Sequence, residues 1–285
     1  MSEPGQTVDA RGCAAAPRGA GPEGRAAPAR VNTSRQRDIV TVTLDHPAKL
    51  NVLDRAGWER LGEVFEGLAG DDGVRCVVVE GAGERAFSAG SDIGGFGAQR
   101  GTPGQVERYA AAIRRGLGGV YDCPHPTVAV VRGLCVGGGL IVAACCDVVV
   151  CGESSRFGVP VNRLGATMAY EEMAPLLGVA GAGAVLEILL TGDLVDARRA
   201  REMGFVNRIA PDGEVGGVGA EVARRIAAGA PLVNRWHKRF VRRLAGGGRL
   251  SGAERAETYQ AFRTRDYREG TAAFVEKREP RFSGE

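Results

Sequence analysis

The stretch TVAVVRGLCVGGGLIVAACCDVVV, residues 127–150, decides the fold class. It opens with Thr127–Val131, an unbroken run rich in valine that is typical of a strand covered on both faces. A glycine-rich turn follows, then a short apolar segment of helical character at 139–144 and a second apolar strand at 147–150. A strand, a helix and another strand in close succession indicate an α/β protein.

The same alternation extends over most of the chain. Upstream, strands are predicted at 39–44 and 75–80, and helices at 54–68 and 105–121. After Pro211-Asp-Gly the pattern predicts helices only, at 218–228, 232–244, 253–267 and 269–277. The apolar stripes of these four helices exceed what one small layer can cover, which favours packing on the core or on another subunit.

Three regions follow from this pattern. Residues 1–34 consist largely of Ala, Gly, Pro and Arg, a composition that buries too little apolar surface to offset chain entropy, and we expect them to be disordered. Residues 35–211 form the α/β core, and residues 212–285 form a helical region.

Composition excludes several classes of protein. The 37 Lys and Arg residues nearly balance 34 Asp and Glu, so charge indicates neither a nucleic-acid nor a membrane partner. The runs Val128–Val131 and Val148–Cys151 are far too short to span a bilayer. Seven cysteines, mostly in apolar runs and without a C-x-x-C pair, predict reduced thiols in a bacterial cytoplasm and no metal site.

Two glycine-containing turns follow predicted strands, at 81–93 and 131–141. Neither matches the phosphate-binding loop or the dinucleotide fingerprint, which require other glycine spacings. The triplet Gly137–Gly139 precedes a helix, so its amides should carry the positive end of the helix dipole. This turn therefore suits a developing anion, although tight packing alone also explains glycines in turns.

From Asp38 to the C-terminus the chain resembles the enoyl-CoA hydratase/isomerase, or crotonase, superfamily. The resemblance is carried by these motifs: HPAKLNVL (46–53), AFSAGSDI (86–93), the glycines of 133–139, Cys146-Asp147, FGVP (157–160), LTG (190–192), Ala197 and Ala200, GFVN (204–207), and EGTAAFVEKR (269–278).

The resemblance implies a fold, a substrate and an assembly. It predicts a crotonase-like spiral of strand-strand-helix turns with a C-terminal helical oligomerisation region, and a homotrimer or a hexamer built as a dimer of trimers. The substrate would be an acyl-CoA thioester, with no cofactor beyond the coenzyme A moiety. The backbone amides of Ser91 and Gly138 would form an oxyanion hole for the thioester oxygen.

The resemblance also suggests where coenzyme A binds. Phe274 and Lys277 would reach it from a neighbouring subunit, although a core contact and a solvated helix face explain these two residues equally well. The complete predicted set of coenzyme-binding residues is Lys49, Leu53, Arg85, Ala86, Ser91, Asp92, Ile93, Gly94, Phe274 and Lys277.

The chain departs from the family at two positions. Hydratases of this family carry one glutamate two residues after the glycine triplet and another just after the proline of the F-G-x-P motif. Ile141 and Val161 stand there, and neither can carry a proton. Positioned acids or bases typically contribute about 10²–10⁴ in rate, so the substitutions argue against ordinary hydration.

The segment after Val161 offers replacements. Glu171 or Glu172 is a candidate acid/base, although carboxylates are also favoured simply by the first turn of a helix. Arg163 is a candidate anchor for a substrate carboxylate, or a surface ion-pair partner. Asp92 is a candidate base or a helix cap.

Several functions remain open at this stage. An oxyanion hole suffices to decarboxylate a malonyl-type thioester without a base, so we place a lyase, either an atypical enoyl-CoA hydratase or a decarboxylase, ahead of an isomerase or a thioesterase. A catalytically silent CoA-binding protein is the competing hypothesis, because the chain has lost two proton-transfer groups. Family resemblance alone does not determine the reaction.

Overall fold

The computed structural model describes residues 29–285, apart from the side chain of Ala98. Of the predicted disordered segment, residues 1–28 lie outside this range. The prediction is wrong for residues 30–34, because Arg30–Gln36 forms strand β1, antiparallel to β2 (Ile39–Asp45). Composition hid this strand because only Val31 of β1 is buried, so the strand is held by its backbone ladder rather than by an apolar face.

The larger of two sheets has six strands in the order β1-β2-β3-β5-β7-β10. Its remaining strands are β3 (Cys76–Gly81), β5 (Thr127–Val131), β7 (Val148–Gly152) and β10 (Arg208–Ala210). All pairings beyond β2 are parallel. Nearly every residue of β3, β5 and β7 is buried, as the unbroken valine runs predict.

The smaller sheet has four strands in the order β4-β6-β8-β9. They are β4 (Ala86–Ser88), β6 (Leu134–Val136), β8 (Arg156–Gly158) and β9 (Val195–Asp196). The chain visits the large sheet, then the small sheet, then a helix, and repeats this path. The structure therefore confirms the predicted α/β class.

Ten α-helices accompany the sheets in residues 29–285: α1 (Arg55–Ala69), α2 (Phe96–Gln99), α3 (Pro103–Asp122), α4 (Gly138–Cys145), α5 (Tyr170–Thr191), α6 (Ala197–Glu202), α7 (Val215–Ala227), α8 (Pro231–Ala245), α9 (Gly252–Glu257) and α10 (Arg265–Glu276). The helix α4 is buried from Gly139 to Cys145. Its uniformly apolar sequence suits this central position, which fixes the glycine turn at its start.

Beyond Ala210 the described elements are all helical, but they do not all stand apart from the core. Val215, Val222 and Ala223 of α7 pack in one apolar cluster with Cys76 and Val128 of the large sheet. The predicted helix 253–267 is also wrong in its bounds: α9 ends at Glu257, a 3-10 segment follows, and α10 begins at Arg265. The Thr264 side chain caps α10, accepting a hydrogen bond from the Tyr267 backbone.

Helix α5 leaves much apolar surface exposed. It is broken at Gly181, which has a φ of 72°, and Leu190 near its end is 73% exposed. Within residues 29–285 it is the one helix whose length and composition would allow it to cross a membrane, with 22% of its most apolar window buried. This segment lies outside Val128–Val131 and Val148–Cys151, the apolar runs that the sequence shows to be too short to span a bilayer. Such a face, left uncovered in a single chain, is typical of a contact surface.

Candidate active site

A pocket of about 820 Å³ lies where the turn after β4, the start of α4 and the start of α5 meet. Its walls are mostly apolar. The lining residues are Trp58, Ala89, Ser91, Ile93, Phe96, Arg100, Ile113, Val136, Gly137, Gly138, Ile141, Val159, Pro160, Val161, Leu164, Ala166, Thr167, Met168 and Glu172. Arg100 and Glu172 are the charged residues among them.

The two glycine turns identified in the sequence meet at this pocket. Gly90 has a φ of 88°, and a Cβ there would lie 2.6 Å from the backbone nitrogen of Gly138. Gly137, which caps α4, also has a positive φ, of 55°. Both positions favour glycine because of their positive φ, and Gly90 also requires it because of the close approach to Gly138.

Ser91 and Gly138 both line the pocket with their backbone N–H groups unused. Within residues 29–285 neither N–H donates a hydrogen bond, whereas the amides of Gly90, Asp92 and Gly137 do. The Gly90 amide donates to the Ser88 hydroxyl at 3.0 Å, the Asp92 amide to the Leu53 carbonyl at 2.9 Å, and the Gly137 amide to the Gly158 carbonyl at 2.9 Å. The spare Gly138 donor begins the buried helix α4, and the spare Ser91 donor lies in the turn after β4; together they suit an acceptor oxygen that gains negative charge.

Asn51 fixes the loop beside the first of these turns. Its amide nitrogen donates to the carbonyls of Ala82 at 3.0 Å and Ala86 at 2.8 Å, and its amide oxygen accepts from the His46 backbone at 2.9 Å. The Ser88 hydroxyl donates to the Asn51 carbonyl at 2.8 Å. Asn51 has a φ of 56°, which asparagine tolerates better than most residues. The loop and the Ser91 turn are thus held as one unit.

Glu172 carries the carboxylate in this pocket. Ile141 and Val161, which stand where the resemblance places the hydratase glutamates, also line the pocket. Burial raises the pKa of the Glu172 carboxyl above its usual range, and a backbone hydrogen bond with Ala169 and the charge of Arg100 partly offset this. A carboxyl shifted in this direction is suited to exchanging protons near neutral pH.

The other candidates of this segment lie elsewhere. Glu171 is exposed in the first turn of α5 and does not line the pocket. Arg163 does not line the pocket and pairs with Asp193 at 2.9 Å, which favours the surface ion-pair partner over the carboxylate anchor. Asp92 caps the 3-10 segment Ile93–Gly95 and pairs with Lys49 at 2.8 Å, which favours the helix cap over the base.

The predicted coenzyme residues differ in accessibility. Leu53 and Ala86 are buried, each 1% exposed, so their side chains cannot reach a ligand. Ile93 lines the pocket, while Arg85 and Gly94 are exposed outside it. Phe274 and Lys277 lie on and just after α10, outside the pocket of the same chain, and their contact with coenzyme across a subunit boundary stays a prediction.

Sequence reasoning missed Trp58 and Arg100. The Trp58 side chain, 1% exposed, donates from its indole nitrogen to the Ser91 hydroxyl at 3.2 Å. The Arg100 guanidinium carbon lies 3.9 Å from the ring centre of Phe96 and 4.0 Å from that of Tyr109. The spacing of Phe96 and Arg100, four residues apart, is a weak signal that the two side chains share a helical face.

Comparisons with known proteins show the family of the chain. The sequence model described as enoyl-CoA hydratase/isomerase matches residues 34–285. A putative enoyl-CoA hydratase of Thermus thermophilus is 37% identical over 249 residues, covering 86% of this chain and 97% of the relative. A carnitinyl-CoA dehydratase of Citrobacter koseri is 30% identical over 257 residues, covering 88% and 97%.

Solved structures give the same result. The crystal structure of an enoyl-CoA hydratase/carnithine racemase from Magnetospirillum magneticum superposes with a TM-score of 0.87 at 43% identity, covering 90% of this chain and 96% of that one. An enoyl-CoA hydratase from Bacillus anthracis gives 0.84 at 27% identity, covering 90% and 99%. The chain therefore belongs to the enoyl-CoA hydratase/isomerase family and is an acyl-CoA-processing enzyme of that family.

Proposed function

We propose that this enzyme is an acyl-CoA lyase that adds water to, or removes it from, the α,β-double bond of an enoyl thioester. The observation that carries the proposal is the pair of unused amides, of Ser91 and Gly138, in one pocket with Glu172. The amides hold the thioester oxygen, and Glu172 moves the proton. Glu172 thereby replaces the two glutamates whose positions are occupied by Ile141 and Val161.

A single carboxylate, that of Glu172, is enough for hydration, because it can first accept a proton from water and then give that proton to Cα. Glu172 takes a proton from water as the hydroxide oxygen bonds to Cβ, and the π electrons move onto the thioester oxygen. The Ser91 and Gly138 amides stabilise this enolate. Glu172 then gives its proton to Cα, the enolate collapses, and one water molecule has been added. Removing one such amide typically costs about 10²–10³ in rate, and the acid/base about 10²–10⁴.

Decarboxylation of a malonyl-type thioester is a second candidate. The apolar side chains of Ile141 and Val161 favour it, because a carboxylate is destabilised beside apolar groups and is lost as carbon dioxide. The electrons of the broken carbon–carbon bond would again move onto the oxygen held by Ser91 and Gly138. This reaction needs no base, only a final proton for Cα.

The assembly and the compartment are part of the proposal. Exposed apolar residues on α5 and α10, such as Leu190 and Phe274, support a homotrimer or a hexamer, in which a neighbouring subunit would bring Phe274 and Lys277 to coenzyme A. The six cysteines in the described residues are free and buried, which supports a reducing compartment such as the bacterial cytoplasm. No cofactor beyond coenzyme A takes part in either reaction.

Mass spectrometry of thioesters incubated with the protein in deuterated water tests the proposal. The panel contains crotonyl-, 3-hydroxybutyryl-, malonyl- and methylmalonyl-CoA. Gain or loss of water supports the hydratase, and loss of carbon dioxide supports the decarboxylase. Deuterium exchange with double-bond migration would indicate an isomerase, and release of free CoA a thioesterase. Binding without any change would overturn the lyase in favour of a silent CoA-binding protein.

A further inference from the structure

Arg100 lies in the pocket with its guanidinium against the rings of Phe96 and Tyr109. Within residues 29–285 its buried Nε makes no hydrogen bond. Tyr109 is itself fully buried and donates from its hydroxyl to the Leu53 carbonyl at 3.2 Å. The two rings therefore fix the plane of a cation whose side chain would otherwise be flexible.

The charge of Arg100 acts on the Glu172 carboxyl, but the two side chains do not form an ion pair in the described part of the chain. Within residues 29–285 no carboxylate forms an ion pair with Arg100, in contrast to Arg163 with Asp193 at 2.9 Å or Arg115 with Glu66 at 2.7 Å. Glu172 shares the pocket but makes no such contact with it. A partly buried arginine with a free donor and a fixed plane matches the geometry of a carboxylate.

The position of Arg100 in the pocket indicates which part of the ligand would carry that carboxylate. Arg100 lines the same pocket as the Ser91 and Gly138 amides and the Ile141 and Val161 side chains, which is where the reacting part of the thioester would lie. The pantetheine arm keeps the phosphates of coenzyme A away from the thioester carbon. An anion that reaches Arg100 therefore belongs to the acyl group.

We propose that Arg100 is a specificity-determining residue that selects acyl-CoA thioesters whose acyl chain carries a second carboxylate, that is, thioesters of dicarboxylic acids. The inference rests on the proposed function for the position of the thioester. The test of the Arg100 inference measures binding alone, so this inference and the proposed lyase function can fail separately. A cationic acyl group, such as a carnitinyl group, should be disfavoured because its charge repels that of Arg100.

Calorimetric titration of glutaryl-CoA and pentanoyl-CoA is the test, because these acyl chains have equal carbon number and lack the double bond that hydration needs. We expect the wild type to bind glutaryl-CoA about 10- to 100-fold more tightly than pentanoyl-CoA, which is the effect expected of one charge-assisted hydrogen-bond pair. Arg100→Met should reduce this ratio to within about 3-fold, and Arg100→Lys should leave an intermediate ratio. Arg108→Met, at an exposed arginine of α3 outside the pocket, is the matched control and should keep the wild-type ratio.

Equal affinity of the wild type for the two thioesters would overturn the inference whatever the variants do. So would an Arg100→Met variant that weakens both thioesters and free CoA equally, since Arg100 would then recognise the coenzyme. A preference for glutaryl-CoA with no turnover of any enoyl thioester would refute only the lyase. Turnover of crotonyl-CoA without that preference would refute only the role of Arg100.

Discussion

Gly90 and Gly138 approach so closely that a Cβ on Gly90 would lie 2.6 Å from the Gly138 backbone nitrogen. This contact joins the turn before Ser91 to the first residue of α4. It explains why two segments far apart in the chain leave their spare amides in one pocket. No side chain is needed to make this pair of donors, so the site depends on backbone geometry that only glycine allows.

Removing one of these amides should cost catalysis. We expect Gly138→Pro to lower kcat/KM by about 10²–10³, because proline lacks the N–H group while its backbone suits the first turn of a helix. Gly138→Ala is the matched control, since both substitutions place a Cβ against Trp58, 2.8 Å from Cζ2, but alanine keeps the donor. Steady-state kinetics on the substrate found by mass spectrometry measures the difference. Equal rates in the two variants would refute the role of the amide.

Glu172→Gln should lower kcat by about 10²–10⁴ if Glu172 moves the proton. Glu171→Gln is the control, because Glu171 lies in the same helical turn but is exposed outside the pocket. Since burial raises the pKa of Glu172, the acidic limb of the wild-type profile of kcat/KM should lie above the usual glutamate range. A wild-type rate in Glu172→Gln would point to decarboxylation, which needs no base.

Glu172→Gln should also change the thermal stability of the protein. A carboxyl whose pKa is raised by folding contributes fully to stability at pH values below its unfolded pKa, and this contribution is lost as pH rises through the higher folded value. Near neutral pH the charged Glu172 therefore disfavours folding. We expect Glu172→Gln to unfold at an equal or higher temperature than the wild type at pH 7–8. A lower melting temperature would show that the carboxylate has a structural role.

Part of this site is readable from the sequence and part is not. The two glycine turns are predictable because positive φ angles favour glycine, whereas the choice of Ser91 and Gly138 as donors came from the family resemblance. Glu172 was one of two adjacent candidates. The sequence did not show which of the two faces the pocket, and in α5 Glu171 points away from it. For Arg163 the sequence could not decide between a carboxylate anchor and a surface ion-pair partner, because its partner Asp193 lies far along the chain. Arg100 was missed because its meaning depends on α2 packing beside Tyr109 of α3.

Asn51→Ala should destabilise the fold. The side chain of Asn51 is 1% exposed and makes three hydrogen bonds, and its positive φ is unfavourable for alanine. We expect the free energy of unfolding in urea to fall by about 2–4 kcal/mol. Asn51→Asp keeps the acceptor for the His46 amide but loses both donors, so it should also destabilise the protein. A change below about 0.5 kcal/mol in both variants would contradict the role of this loop.

The apolar surface of α10 should be covered in solution. Phe274 is 86% exposed in the single chain, and we expect light scattering on the eluting protein to give the mass of a trimer or a hexamer. Phe274→Asp should shift the mass toward smaller species, whereas Phe274→Leu should not. A monomeric wild type at micromolar concentration would contradict the proposed assembly and the reach of Lys277 across it.

The most direct test of the account is a crystal structure of the wild-type protein with butyryl-CoA, a saturated thioester that cannot be hydrated. We predict that the thioester oxygen lies within about 2.7–3.2 Å of the backbone nitrogens of both Ser91 and Gly138, with the Glu172 carboxylate facing Cα and Cβ. A thioester oxygen bonded to neither amide, or an acyl chain outside the pocket, would contradict the central claim.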